Sequence, residues 1–211
     1  MKTGQLIDML AQGSGPAPRR VVMLRLGMAL VLGIAVSSAV STLSLGLNPD
    51  LAGMGSPLVL KLVYVAGIAA GATWLTARLA RPGATWGSAL TSVILVFGAM
   101  CCLACLDWTQ ANLNQRAALL FGQSWTTCPW RVAALAVPAL ALGFLAVRGL
   151  APTRLRLAGA SIGLMAGGLG AFGYALHCPE LSPVFVVTWY SLGMLVPAAL
   201  GAALGPRILR W

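Results

Sequence analysis

The chain has 211 residues, of which 59% are hydrophobic and only 9% charged, and its mean hydropathy is +0.87. An ordinary soluble domain carries about 25% charged residues, so this composition describes a membrane protein. The formal net charge of +10 does not argue for a nucleic-acid partner, because the 14 Lys and Arg residues stand in small groups between apolar runs and not in one stripe along a polar face.

Residues 1–13 read as a short amphipathic helix, with Thr3 as a candidate N-cap and Leu6, Ile7, Met9 and Leu10 forming an apolar stripe. A helix of this length is marginal in water, so it either docks on a partner or lies on the lipid surface. Residues 13–18, Gly-Ser-Gly-Pro-Ala-Pro, form a flexible linker leading to the basic group Arg19, Arg20 and Arg25. Secretory signal peptides carry a short basic region and an apolar core of about 7–15 residues. Here the first apolar run continues from residue 26 to 49 without a charge, so it is expected to remain as an anchor, although small residues at 35–39 imitate a cleavage site.

Six apolar segments follow, at 26–47, 57–77, 87–106, 132–147, 157–176 and 184–204, each close to the roughly 20 residues that cross a bilayer core. The expected fold is therefore an all-α membrane protein, a six-transmembrane-helix bundle. The fourth run is the shortest, and Arg131 and Arg148 at its ends are expected to snorkel to the two interfaces. Lys2, Arg19, Arg20, Arg25, Arg78, Arg81, Arg148, Arg154, Arg156, Arg207 and Arg210 fall on one side of this topology, which is 11 of the 14 basic residues. Lys61, Arg116 and Arg131 fall on the other. The positive-inside rule then places both termini in the cytoplasm and the loops 48–56, 107–131 and 177–183 outside. In this organisation residues 1–25 are a cytoplasmic docking segment and linker, and 26–211 form the transmembrane domain.

The fifth span carries Gly159, Gly163 and Gly167 at four-residue spacing, and the sixth carries Gly193, Gly201 and Gly205. Such small-residue faces let helix backbones approach closely, so their expected role is packing. Pro138 and Pro197 are expected to kink spans four and six.

The five cysteines form two groups. Cys101, Cys102 and Cys105 lie in the third span, where packing is the expected role of a small apolar side chain and metal binding the alternative. Cys128 and Cys178 fall in outward loops, and each precedes a proline. A disulfide is chemically permitted there; closing a loop of about 50 residues would stabilise the fold by on the order of 4 kcal/mol. The alternatives are an oxidant-sensing thiol pair or a soft-metal site that includes His177, since thiolate and imidazole suit copper and zinc. Two thiols and one imidazole are one ligand short of a closed zinc site, with Glu180 the candidate fourth, and neither loop has C-x-x-C spacing. Lys61 is a charge within the second span that is expected to snorkel or to pair with Asp50 or Asp107. No nucleotide loop, catalytic triad, H-E-x-x-H or carboxylate pair is present, so nothing argues for hydrolysis or group transfer.

Several stretches together resemble a known family. These are Met1-Lys2-Thr3 with Leu6-Ile7-Asp8 and Leu10, the Cys128 loop, and His177-Cys178-Pro179-Glu180-Leu181-Ser182-Pro183 continuing to Phe185, Trp189-Tyr190 and Leu192-Gly193-Met194. The ending Gly205-Pro206-Arg207-Ile208-Leu209-Arg210-Trp211 completes the pattern. The chain resembles the NrsF family of bacterial inner-membrane anti-sigma factors over nearly its whole length.

The resemblance implies a non-enzymatic regulator that holds an extracytoplasmic-function (ECF) sigma factor through Lys2, Thr3, Leu6, Ile7, Asp8, Leu10 and the inner loops. It also implies that the paired periplasmic cysteines, matched by Cys128 and Cys178 with His177 beside them, sense heavy-metal or oxidative stress. No constitutive cofactor is expected, only a transient soft metal ion or a Cys128–Cys178 disulfide. The expected partners are the sigma factor and membrane lipids, with no direct nucleic acid. Cys101, Cys102 and Cys105 are not part of the family pattern. The rival readings are a membrane thiol oxidoreductase and a small metal transporter that uses those three cysteines.

Overall fold

The computed structural model describes residues 3–5, 7, 8, 21–150 and 152–210. Residues 3–5, 7 and 8 are helical, as expected for the N-terminal segment, whereas Lys2, Leu6 and Leu10 lie outside the described residues. Seven further helices follow: α1 (Val21–Leu45), α2 (Gly55–Leu79), α3 (Gly87–Gln110), α4 (Leu113–Phe121), α5 (Cys128–Val147), α6 (Leu155–Ala175) and α7 (Pro183–Ile208). All except α4 are long and apolar enough to cross a membrane, so the expected six-helix bundle is present. Among the described residues there is no strand.

The helices alternate in direction, which gives the bundle two unlike ends. Arg25 Nη1 donates to the Arg148 carbonyl at 3.4 Å, setting the start of α1 beside the end of α5. At the opposite end the Asn48 amide donates to the Leu176 carbonyl at 3.2 Å, joining the end of α1 to that of α6. Arg78, Arg81, Arg154, Arg156, Arg207 and Arg210 belong to the first, arginine end; Cys128, His177 and Cys178 belong to the second, cysteine end.

Helix α6 is the hub. Fifteen of its 21 residues are buried, because glycines on several of its faces bring different neighbours to backbone contact. A Cβ on Gly159 or Gly163 would collide with the backbone of Gly201 or Pro197 in α7. One on Gly168 would meet Ala69 of α2 at 2.9 Å, on Gly170 the Val132 carbonyl of α5 at 2.6 Å, and on Gly173 Ser37 of α1 at 2.7 Å. The glycine stripe therefore has the packing role its spacing predicts. The outer helices bury less. In α1 the buried residues are Leu26, Ala29, Gly33, Ser37 and Ser41, one stripe at helical period, and the other faces are available to lipid.

Polar side chains inside the bundle tie helices together, as they must where water cannot satisfy them. Ser37 Oγ donates to the Leu135 carbonyl at 2.9 Å, and Thr76 Oγ1 lies 3.0 Å from Ser161 Oγ.

Helix α3 is peripheral. Its only buried residues are Ala89, Met100 and Ala104, while Cys101 is half-buried and Cys102 and Cys105 are exposed. Tight packing, the role expected from the sequence, therefore does not describe Cys102 and Cys105.

The stretch 107–131 is not one loop. Helix α3 continues through Asp107 to Gln110, α4 follows with an Asn112–Gln115 capping box, and α5 already begins at Cys128, with Pro129 in its first turn. Proline at the start of a helix gives up no hydrogen bond and has the required φ, which explains why the helix starts there.

Candidate thiol site

Helix α6 ends at Tyr174-Ala175, and the chain folds back at once. The amides of both His177 and Cys178 donate to the Tyr174 carbonyl, each at 3.0 Å. Pro179 lacks an amide hydrogen and cannot extend the ladder, while Pro183 opens α7. Cys178 is thereby tucked under the end of the hub helix. Cys128 comes to the same place from α5: its amide donates to the Ser124 carbonyl at 2.9 Å, and the Ser124 hydroxyl lies 3.8 Å from Cys178 Sγ. Ser124 thus touches both cysteines. Both are free, and both are 0% exposed.

They share one buried cluster with Tyr64, Tyr174, Phe185, Tyr190 and Met194. The Tyr174 and Tyr190 rings are 5.8 Å apart, and both hydroxyls are buried without a hydrogen-bond partner. A π-helical turn at Val186–Tyr190 turns successive aromatics in different directions. Trp189 faces outward to α4, where its indole Nε1 donates to the Leu120 carbonyl at 2.7 Å and its ring packs 5.3 Å from Trp125. Tyr190 is buried in the thiol cluster. Helix α4 therefore lies against the outer side of the α7 start and narrows access to the cysteines.

Lys61 enters from α2 and is 1% exposed. Its Nζ donates to the Cys178 carbonyl at 2.8 Å and to the Glu180 carbonyl at 3.0 Å, and sits 5.8 Å from the Tyr190 ring centroid. The expectation that it snorkels or pairs with Asp50 or Asp107 is corrected. The extended 178–180 segment offers carbonyls that no helix uses, and the lysine stem is long enough to reach them.

His177 is also committed. Nδ1 lies 3.1 Å from the Gly46 carbonyl and Nε2 lies 3.3 Å from Arg131 Nη1. A carbonyl only accepts and a guanidinium only donates, so Nδ1 donates its proton to the Gly46 carbonyl and Nε2 accepts a hydrogen bond from Arg131. Arg131 thus reaches the site from the first turn of α5. Glu180 Oε1 accepts the Gln123 amide at 2.6 Å, and its carboxylate covers Gly122, where a Cβ would lie 2.5 Å away. Among the described residues no three His, Cys, Asp or Glu side chains come together to hold a metal ion. The structure brings Cys128 and Cys178 into one buried cluster and gives His177 and Glu180 other partners. The arrangement suits two-thiol chemistry, either a disulfide or low coordination of a soft ion.

Three participants escape a reading of the sequence alone. Tyr174 precedes Cys178 by four residues and Ser124 precedes Cys128 by four, the spacing of one helical turn. That spacing is the available signal for both. Tyr190 has no such local mark.

Comparison with known proteins gives the family. A family model described as "Negative regulator of sigma F" (NrsF) matches residues 10–211. The chain belongs to the NrsF family. It is 39% identical over 216 residues to the probable anti-sigma-F factor NrsF of Azospira oryzae, with both chains covered completely. It is likewise 39% identical over 222 residues to the anti-sigma-F factor NrsF of Caulobacter vibrioides, again with complete coverage of both. No solved structure matches the chain. The NrsF match begins at residue 10 and so contains both cysteines of the pocket, whereas Lys2, Thr3, Leu6, Ile7 and Asp8 precede it.

Proposed function

We propose that this NrsF-family chain is a multi-pass anti-sigma factor of the bacterial inner membrane, which holds an ECF sigma factor at its arginine end and releases it when Cys128 and Cys178 react. The observation that carries the reading is that two buried, free cysteines share one cluster and both touch Ser124, one from α5 through its amide and the other through its sulfur from the connection between α6 and α7. Those three helices run from the thiols to the opposite end of the bundle.

The charge pattern supports the orientation, with 11 of 14 basic residues on the arginine side. That end offers a pocket of about 220 Å³ lined by Arg78, Arg81, Thr153, Arg154 and Trp86, with no acidic side chain. Arg154 stacks 5.2 Å from the Trp86 ring. Such a surface fits acidic groups on a partner, and the N-terminal residues Lys2, Thr3, Leu6, Ile7, Asp8 and Leu10 supply a second, partly apolar contact.

The chemistry balances in two ways. A soft divalent ion displaces two protons and joins both sulfurs; an oxidant of the disulfide class instead takes two electrons and two protons and leaves a sulfur–sulfur bond. Either product fixes the distance between the sulfurs. A signal shifts the held–released equilibrium only by its differential affinity for the two states. Moving that equilibrium from 1:99 to 99:1 needs about 5.5 kcal/mol, a size well within the range of metal–thiolate binding.

The deciding experiment is co-purification of the detergent-solubilised chain with its cognate sigma factor, with and without residues 1–13, before and after cadmium or a dithiol oxidant. Binding lost on truncation and reversed by either reagent supports the reading. A chain that never retains the sigma factor refutes it.

A further inference from the structure

Lys61 is among the largest fully buried side chains of the molecule, yet neither of its hydrogen bonds goes to a carboxylate. Two of its protons reach main chain, the carbonyls of Cys178 and Glu180, and the ammonium lies over the Tyr190 ring. A buried ammonium without a carboxylate partner carries a desolvation cost that two carbonyls repay only in part. Within a membrane span it calls for a functional account.

The geometry gives one. The segment 178–180 is held from three directions: by the Tyr174 carbonyl under the Cys178 amide, by the Gln123 amide on the Glu180 carboxylate, and by Lys61 on two carbonyls. Only the last of these ties the segment to α2, whose other end carries Arg78 and leads into Arg81. We propose that Lys61 is a positioning residue of the thiol site, whose ammonium clamps the Cys178–Glu180 main chain to α2 and passes the state of Cys178 to that helix. The inference rests on the reading of Cys128 and Cys178 as the responding pair. When a soft divalent ion binds, the Cys178 thiol proton passes to solvent and the sulfur is drawn to the ion shared with Cys128. The main chain of the same residue, whose carbonyl Lys61 holds, is displaced with it, and the clamp on the 178–180 segment loosens.

The test uses the full chain in membrane vesicles. Lys61→Met keeps length and removes charge; Lys61→Arg keeps charge and donors. Alkylation of each cysteine by a maleimide is followed by mass spectrometry of the separated peptides. Lys61→Met is expected to raise Cys178 labelling by about tenfold or more, as loss of a local closing interaction does, with half-exposed Cys101 unchanged. Lys61→Arg is expected to keep Cys178 at the wild-type rate. Cadmium is expected to release the sigma factor from wild type and Lys61→Arg but not from Lys61→Met, although it still occupies both thiols of the latter.

A second measurement needs no variant: cadmium on the wild-type chain is expected to raise hydrogen exchange in the first half of α2 and in 178–182. Unchanged Cys178 labelling in Lys61→Met, release that persists in it, or unaltered exchange in α2 overturns the proposal. If thiol reagents fail to release the sigma factor from wild type, the sensing reading fails instead, and the labelling contrast still decides whether Lys61 clamps the segment.

Discussion

Replacing Gly163 by alanine tests the close backbone contact between α6 and α7. A Cβ at this position would lie 2.6 Å from Ala198 Cα and closer still to the Pro197 carbonyl oxygen. Carbon atoms pack best at about 3.5–4.0 Å, so the two backbones must part by about 1 Å, and a gap of about 0.5–1 Å already forfeits a quarter to a half of each dispersion contact. Overpacking of this kind destabilises by about 1–3 kcal/mol, offset by the gain of up to about 1 kcal/mol that alanine brings to a helix. The expected net loss of about 1–2 kcal/mol corresponds to a fall of about 2–8 °C in melting temperature for a chain of this size. Gly98→Ala on α3 is the control, because nothing lies within 4 Å of its Cβ position; it is expected to melt at or slightly above wild type. Thermal melts of the purified variants in one detergent decide the matter. A Gly163→Ala protein as stable as Gly98→Ala refutes the interlocked interface, and with it the account of how the thiol end communicates with the arginine end.

Cys128→Ser and Cys178→Ser are each expected to retain the sigma factor and to abolish its release by cadmium or oxidant; a double variant that still responds in a transcription reporter sinks the two-thiol mechanism. His177→Ala removes two hydrogen bonds and is expected to lower stability by about 1–3 kcal/mol. It should leave the stoichiometry of soft-metal binding unchanged by equilibrium titration, because both ring nitrogens already have partners. Gly122→Ala meets two obstacles, a positive φ of 51° and the Glu180 carboxylate at 2.5 Å. It is expected to loosen the junction of α4 with α5 and to speed maleimide labelling of Cys128 and Cys178, whereas unchanged labelling would argue against α4 as the cover of the pocket.

The six spans were legible because a bilayer imposes one simple length requirement on apolar runs, and the chain meets it six times. The glycine spacing on α6 was equally legible, since close approach of helices depends on side-chain size alone. Helix α4 was not. It has nine residues of mixed polarity, too few for a periodic signal, and its place is set by Trp189 and Glu180 reaching across from distant sequence. That Cys128 and Cys178 lie at one end of the bundle was readable from the order of the spans, but their approach at Ser124 depends on how α5 packs against α6. The partner of Lys61 was illegible for another reason: main-chain carbonyls belong to every residue, and only the fold shows which ones a helix has left free.

That free segment constrains the route by which a signal travels. Helices α6 and α7 touch through glycine backbones along Gly159, Gly163 and Gly167, so neither slides past the other without a steric clash. Cys178 sits in the connection between them, and a displacement there cannot be taken up inside this pair. It must pass to α5 through Cys128 and Arg131, or to α2 through Lys61. Helix α5 is itself seated on α6, where a Cβ on Gly170 would lie 2.6 Å from the Val132 carbonyl and one on Gly143 2.7 Å from the Ile162 side chain. Helix α2 also meets α6, where a Cβ on Gly168 would lie 2.9 Å from Ala69, and touches α7 through the Tyr64 and Ser191 hydroxyls at 2.6 Å, while Gly71 faces Val93 of the peripheral α3. An interface that leads outward to a lipid-facing helix yields more readily than one enclosed by the core. Of the two routes, α2 is the one whose far end reaches the pocket of Arg78, Arg81 and Arg154, so a thiol reaction moves that basic surface most directly through Lys61.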